Sequence, residues 1–148
     1  MISVQKEDFD VGQEIISLSS DSSSIGAVAT FVGLVRDVNE SEPISDLYLD
    51  HYPGMTVKSL EDIVCKARDR WPLQAVRVVH RVGLLSVGDQ IVFVGVASKH
   101  RQTAFDACAY IMDYLKTEAP FWKKETTPDG SKWVDARESD KTALDRWQ

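Results

Sequence analysis

The basic side chains that could do chemistry are concentrated between residues 99 and 124. Five basic residues stand there against three acidic ones, although the whole chain carries a net charge of −6. A cationic segment in an acidic protein is typical of a solvated surface or of a site for an anionic small ligand. Both interpretations are open for its basic members, which are Lys99, Arg101, Lys116, Lys123 and Lys124.

Two candidate residues, His100 and Arg101, stand where a predicted strand ends and a predicted helix begins. The first backbone N–H groups of a helix lack partners within the helix, so they bind phosphate readily. A positive side chain at this end opposes the helix dipole, and a bound anion would account for Arg101. An ion pair with Asp106 accounts for it equally well.

Lys116 lies in the last turn of the same predicted helix, where a cation is favourable without any further role. The chain then folds back after Pro120 and carries two aromatic residues beside a second amine, Lys123. An amine in an apolar wall beside other cations can act as an acid, a base or a nucleophile. Arg101 and Lys116 are about 22 Å apart along one helix. One small ligand could therefore contact both only across a two-fold dimer.

The other candidates are single residues without a diagnostic pattern. Arg36 follows the end of an apolar strand, where an arginine serves either as a surface residue at the rim or as a clamp for an anion. Arg137 is flanked by acidic residues, which favours a local ion pair. His51 and His80 lie in strand patterns and lack metal-ligand spacing, so a structural role is expected for each. The sequence contains no phosphate-binding loop, dinucleotide-binding glycine fingerprint or nucleophile elbow.

Two long helices are predicted from apolar residues at helical spacing. The first begins at residue 56 and ends before Pro72, and the second spans residues 101–115. We expect one stripe of the second helix to face the core, consisting of Ala104, Phe105, Cys108, Ile111, Met112 and Leu115. Shorter helices are predicted for residues 11–18 and 139–147.

Strands are predicted where β-branched and apolar residues form runs or alternate with polar ones. A turn at residues 86–89 makes the last two long strands a predicted antiparallel hairpin. Residues 40–43 are predicted to form an exposed loop. Together the elements predict an α+β fold, in which a mostly antiparallel sheet packs with two main helices. The predicted strands are residues 26–35, 44–52, 75–82 and 90–97, with a short one at 133–134.

Length and composition suit a single domain over residues 1–148, with 43% hydrophobic residues. The negative net charge argues against nucleic-acid or anionic-membrane binding. The longest apolar run, residues 91–97, is too short to span a bilayer. The N-terminus lacks a signal core, which favours the cytoplasm. Cys65 and Cys108 both fall in helical patterns and are expected to be core thiols.

The motifs together resemble the family of large, catalytic subunits of molybdopterin synthase. The resemblance covers about residues 26–147, in order and without large gaps. Its most specific part is Ser98-Lys99-His100-Arg101, which continues through the helix to Lys124 and Glu125. The matching segments are residues 26–36, 49–55, 80–83, 88–96, 98–101, 111–117 and 119–125.

The resemblance implies an α+β fold of the α/β-hammerhead type and a sulfurtransferase activity. Such subunits convert cyclic pyranopterin monophosphate into molybdopterin by installing the two dithiolene sulfurs, a step of molybdenum cofactor biosynthesis. The sulfur arrives as a thiocarboxylate on the C-terminal glycine of a small ubiquitin-like subunit, whose tail enters a pocket of the large subunit. Two large subunits form a central homodimer with one small subunit at each end, a heterotetramer. No metal or cofactor is expected in this chain.

The resemblance also implies roles for individual residues. Lys116 matches the catalytic lysine and Lys123 the second active-site lysine. His100 and Arg101 match an anion-binding pair that the neighbouring subunit supplies. The remaining expected substrate contacts are Leu34, Val35 and Arg36 at a strand end, Lys124 and Glu125 along the pocket wall, and Arg137.

Two other functions are compatible with a basic pocket. A non-catalytic module could bind a ubiquitin-like tail, although it would have no need for the four residues Lys116, Lys123, His100 and Arg101. An unrelated enzyme could act on cyclic phosphates with the same cations. It would need no small protein partner, so a pull-down separates it from the synthase.

Overall fold

The computed structural model describes residues 1–20, 22–39, 41–134 and 138–148 of the chain. Helices and strands alternate irregularly along these residues, which is typical of an α+β fold. In chain order the elements are β1 (Ile2–Gln5), α1 (Val11–Ser19), β2 (Ala27–Leu34), β3 (Val38–Asn39), β4 (Glu42–Pro43), β5 (Asp46–His51), α2 (Met55–Arg70), β6 (Ala75–Arg81), β7 (Gly83–Ser86), β8 (Gln90–Ser98), α3 (Arg101–Glu118), β9 (Phe121–Thr127), β10 (Gly130–Val134), α4 (Glu138–Ala143) and a 3₁₀ helix (Leu144–Trp147).

The first sheet holds the core of the molecule. Its strand order is β1-β6-β8-β2, with β1 parallel to β6 and the other pairs antiparallel. Successive side chains of β8 point to opposite faces. Val94 and Val96 pack in the core cluster of α2 and α3, while Phe93 and Ala97 pack with Leu18 of α1. Because helices cover both faces, β8 is buried from Val92 to Ser98.

The second sheet is antiparallel, with the strand order β10-β9-β5-β7. Strand β7 enters it immediately after β6 leaves the first sheet, at Gly83, whose φ is +89°. Glycine adopts this left-handed conformation without steric cost. The predicted pairing of residues 75–82 with 90–97 is confirmed, but they do not form a simple hairpin, because β7 lies between them in the chain and pairs with β5.

The α+β class with mostly antiparallel sheets is confirmed. Two predictions about burial are wrong. Cys65 is exposed on α2, because it follows Val64 of the buried stripe and is turned about 100° away from it. Phe105 is 60% exposed for the same reason, one residue after the buried Ala104.

Other elements were not predicted by the sequence patterns. These include β1, the β3–β4 pair in the expected loop, β7 and β9. No helix in the described part of the chain is long and apolar enough to cross a membrane.

Candidate active site

A cavity of about 540 Å³ opens between the second sheet, the end of β2 and the C-terminal end of α3. It is lined by side chains of both signs and by many apolar ones. Among the described residues of this lining, the basic side chains are Arg36, Lys116 and Lys123, and the acidic ones are Glu125 and Asp140. The apolar part consists mainly of Phe31, Val32, Leu34, Val35, Val38, Ile44, Leu47, Leu49, Ile91, Val92, Leu115, Phe121 and Val134.

Strand β9 supplies one wall of the cavity through alternate residues. Phe121, Lys123 and Glu125 line it, as expected for side chains two positions apart on a strand. Lys124 points to the other side, where its Nζ lies 5.8 Å from the centre of the Trp133 ring. The structure therefore brings Lys123 and Glu125 to the cavity and does not bring Lys124 there, contrary to the expectation that it continues the same wall.

Lys116 reaches the cavity from the last turn of α3, and its position depends on the corner that follows. Ala119 ends the helix in an extended conformation, and Pro120 cannot continue it. Thr56, fully buried at the start of α2, donates its hydroxyl to the Pro120 carbonyl at 3.0 Å. The same hydroxyl oxygen accepts the Tyr52 N–H at 3.0 Å. One side chain thus ties α2, the end of β5 and the α3–β9 corner together.

Glu125 is buried in the cavity wall and is held by a side chain from another strand. The amide nitrogen of Asn39 donates to both of its carboxylate oxygens, at 2.9 and 3.0 Å. Asn39 belongs to β3, so this contact fixes the small β3–β4 pair against β9. The amide thus supplies hydrogen bonds to a buried carboxylate, whose burial would be costly without them. Asn39 lines the cavity too, and no sequence pattern had indicated it.

The predicted strand-end residues are placed together at the rim. Leu34, Val35 and Arg36 all line the cavity, with Val35 buried and Arg36 exposed. The Val35 N–H donates to the Asp89 carbonyl at 2.9 Å, which holds the chain in place as it leaves β2. Arg36 is therefore presented at the opening on a fixed backbone.

His80 is the main cavity residue whose position sequence reasoning missed. It is 5% exposed on β6, and its ring stacks on Phe121 with centroids 3.8 Å apart and planes 17° from parallel. Its Nδ1 lies 2.8 Å from the Arg81 carbonyl oxygen. Burial lowers the pKa of His80 to about 3, and Lys116, Lys123 and His51 act in the same direction. The sequence pattern predicted only that His80 lies in a strand and has a structural role. Such a pattern does not show which face of the strand borders the cavity.

The remaining predicted site residues lie elsewhere. His100 and Arg101 are exposed at the start of α3, outside the cavity and at the opposite end of the helix from Lys116. Arg137 lies outside the described residues. Within residues 1–20, 22–39, 41–134 and 138–148, no group of three or more His, Cys, Asp or Glu side chains is arranged to hold a metal ion.

Neither cysteine lines the cavity. Cys108 is buried on α3, and burial raises the pKa of its thiol to about 12. Its thiolate is therefore scarce at neutral pH, and a thiol in this state is a poor nucleophile. The two cysteines of this chain therefore supply no nucleophile to the cavity.

Comparisons with known proteins show the family to which the chain belongs. The sequence model of the MoaE protein family matches residues 4–118. The molybdopterin synthase catalytic subunit of Vibrio cholerae is 58% identical over 147 residues, which cover 99% of this chain and 97% of the relative. The molybdopterin biosynthesis MoaE protein of Burkholderia ambifaria superposes with a TM-score of 0.86 at 53% identity, covering 99% of this chain and 97% of that one.

A more distant structure shares the fold. It is the complex of subunits 1 and 2 of the molybdopterin-converting factor from Helicobacter pylori, with a TM-score of 0.73 at 22% identity, covering 93% of this chain and 90% of that one. The family match and the near-complete alignment with close relatives together decide the family. The chain belongs to the MoaE family, whose matched relatives are catalytic subunits of molybdopterin synthase and enzymes of molybdenum cofactor biosynthesis.

Proposed function

We propose that this chain is the sulfur-transferring subunit of a molybdopterin synthase. Its substrate is cyclic pyranopterin monophosphate, and its sulfur donor is the thiocarboxylated C-terminus of a small ubiquitin-like subunit. The observation that carries the proposal is that Lys116 and Lys123, from different elements, line one cavity with Arg36 at its rim. The two-subunit complex of Helicobacter pylori supports a small protein partner by analogy.

The cavity chemistry fits this reaction. The substrate carries a cyclic phosphate, and cations stabilise the charge that develops when such a ring opens. The apolar lining beside them excludes water, which strengthens each electrostatic contact. Because the donor sulfur is already a thiocarboxylate, the chain needs no cysteine nucleophile. This agrees with the two cysteines lying outside the cavity.

We assign the acid and base role to Lys116, at the carbon that receives sulfur. Lys123 assists by its charge or by proton transfer. Leu34, Val35, Arg36 and Glu125 shape the binding wall. Arg137 is a further substrate contact in this proposal.

His100 and Arg101 bind the anionic group from the neighbouring subunit of a central homodimer. Their separation from Lys116 along α3 supports this assignment, because one ligand cannot span the helix. We further propose that residues 1–148 form one catalytic-subunit domain and that it acts in the cytoplasm. Two free thiols suit that reducing compartment.

The neighbouring lysines of β9 provide a matched test. Purified protein is mixed with thiocarboxylated small subunit and cyclic pyranopterin monophosphate, and molybdopterin is measured. We expect Lys123→Ala to lower the rate about 100-fold, within the range for a lost proton-transfer group. Lys124→Ala removes the same charge from the opposite face of the strand and is expected to stay within about threefold of wild type.

Three other results would contradict the proposal in distinguishable ways. Equal losses in both variants would mean that general charge, not the cavity, matters. Bound small subunit without product in the wild-type protein would indicate a non-catalytic binding module. Turnover of a cyclic phosphate without any small subunit bound would indicate an unrelated phosphate-handling enzyme.

A further inference from the structure

Strand β2 forms an open edge of the first sheet. It stands last in the strand order, and among the described residues no strand pairs with its outer side. Phe31 is 40% exposed and Leu34 is 52% exposed on this strand. An edge strand directs alternate backbone N–H and C=O groups away from the sheet. The outer side of β2 is therefore able to accept a further strand.

This edge lacks the usual protection against pairing. Exposed edges are normally short or carry prolines and charged side chains, above all lysine. β2 has eight residues, with neither a charge nor a proline. The other edge strands of the two larger sheets, β1, β7 and β10, have four or five residues each, and β10 carries Lys132. Because a neutral strand brings no like charges together when it pairs with its own copy, β2 is the edge suited to self-association.

One flank of α3 lies beside the same edge. Since α2 packs on β1 and α3 packs on β8 and β2, the flank of α3 away from α2 faces the β2 edge. At 100° per residue, this flank holds Phe105 and both end residues of the proposed site, Arg101 and Lys116, within about 60° around the helix. Tyr110 lies on the other flank, where it contacts Trp71 just after α2. Phe105 is 60% exposed, so the flank is apolar between its two cations.

β2 and α3 run side by side in the same direction. Ala27 at the start of β2 pairs with Ser98, three residues before α3 begins at Arg101. Leu34 at the end of β2 and Lys116 in the last turn of α3 line the same cavity. Eight strand residues span about 26 Å, and 18 helix residues span about 27 Å. Each end of β2 therefore lies near one of the two separated parts of the proposed site.

We infer that β2 pairs antiparallel with β2 of a second copy, across a two-fold axis perpendicular to the sheet. The pairing joins the two four-stranded sheets and sets the start of one β2 beside the end of the other. Because the two α3 helices then lie flank to flank in opposite directions, Arg101 of one copy comes beside Lys116 of the other. The inference rests on the proposed function, because it names the surface that forms the homodimer proposed there.

The two-fold axis restricts the register of this pairing. Opposite residues on paired antiparallel strands point to the same face of the sheet, and a perpendicular two-fold axis preserves that face. The residue at the centre must therefore stand opposite its own copy. For the fullest overlap of Ala27–Leu34 that residue is Thr30 or Phe31. In either register the two copies of Thr30 are opposite or diagonal neighbours, about 5–8 Å apart.

Crosslinking tests this contact without substrate or small subunit. Thr30→Cys is made in a Cys65→Ser background, because Cys65 is exposed whereas Cys108 is buried. Dilute protein is treated with a bismaleimide that spans about 8 Å. We expect a covalent dimer from Thr30→Cys and none from Ser131→Cys, an exposed position on the edge strand β10. A monomeric wild-type protein, or a dimer in which Thr30→Cys does not crosslink, would overturn the inference.

Charges at the centre of β2 test the same interface by repulsion and rescue. Thr30→Glu and Thr30→Lys each place like charges together across the axis, so we expect each alone to be a monomer of about 16.6 kDa in light scattering. An equal mixture should regain the doubled mass and form molybdopterin at a rate close to wild type. Ser131→Glu on β10 is the control and should stay dimeric. Folded monomers that do not associate on mixing, or variants that remain dimeric alone, would contradict the inference.

Two further outcomes separate this interface from the proposed function. If Thr30→Cys crosslinks to an added small ubiquitin-like subunit instead of to its own copy, the β2 edge binds that partner and the inference is wrong. If the covalent dimer forms but the wild-type protein makes no molybdopterin, the interface stands and the proposed function fails.

Discussion

Lys123 and Lys124 are neighbours in the sequence but lie on opposite faces of β9. Lys123 lines the same cavity as Lys116, which lies at the end of α3. The Lys124 amine lies over the Trp133 ring instead. Whether a residue lines the cavity therefore depends on which face of its strand or helix it occupies, as well as on its residue type. His80 follows the same rule, since its strand places the ring against Phe121 and beside the lysines.

At the residue scale, His80 makes a prediction about acid stability. Its pKa is about 3 in the folded protein and 6.5 for an ordinary histidine, so the unfolded state takes up its proton first. The stability that this difference provides is present above about pH 6.5 and is lost as the pH falls toward about 3. Between about pH 7 and pH 5, the wild type should lose more free energy of unfolding than His80→Gln in urea titrations. Parallel pH profiles for the two proteins would contradict the burial of a neutral ring.

At the element scale, the corner between α3 and β9 decides where both lysines stand. Thr56 supports that corner from α2 through its bonds to Pro120 and Tyr52. Neither bond is recognisable in the sequence, because a threonine in the first turn of a helix is common. The corner is thus a long-range feature that only the packed structure defines.

Replacing Thr56 by valine keeps the shape of the side chain and removes its hydroxyl. We expect the free energy of unfolding to fall by about 1–3 kcal/mol, because the Pro120 carbonyl and the Tyr52 N–H both lose their partner. Thr56→Ser keeps the hydroxyl and should cost less, about 1 kcal/mol for the lost methyl group. Chemical denaturation measures both. A serine variant as unstable as the valine variant would show that the hydrogen bonds do not support the corner.

Elements with strong local periodicity were predictable from the sequence. The long helices α2 and α3 and the buried strands β2, β6 and β8 fall close to their predicted bounds. β1 alternates between apolar and polar residues, but four residues are too short a run to be distinctive, and β9 shows no clear alternation. Pairing with β6 and β5 supplies their stabilisation. Lys116, Lys123 and Arg36 were predictable as candidates. The roles of Asn39 and His80 depend on which strands become neighbours, which local patterns do not record.

At the scale of the whole molecule, the candidate site residues of α3 and its N-cap are divided between the two ends of the helix. Lys116 lines the cavity, whereas His100 and Arg101 are exposed at the far end. A helix of 18 residues is about 27 Å long, so both sets can serve one ligand only if a second copy of the chain completes the site. A ligand shared by both ends of α3 would therefore require the proposed homodimer.

Mixing two inactive variants tests the shared site. Lys116→Ala and Arg101→Ala are unfolded together, refolded in equal amounts and assayed. Half of the dimers then contain one of each subunit, and one of their two sites has both residues intact. We expect about a quarter of wild-type activity from the mixture and almost none from either variant alone. If the mixture is no more active than its components, the two residues act within a single subunit or not together.

The central claim is that Lys116 performs the proton transfers of sulfur incorporation. Its most direct test is single-turnover formation of molybdopterin by Lys116→Ala, saturated with thiocarboxylated small subunit and cyclic pyranopterin monophosphate. We predict a loss of at least about 100-fold in the rate, with the melting temperature and the binding of the small subunit unchanged. A rate within a few-fold of wild type would contradict the account, because the cavity would then be working without its proposed acid and base.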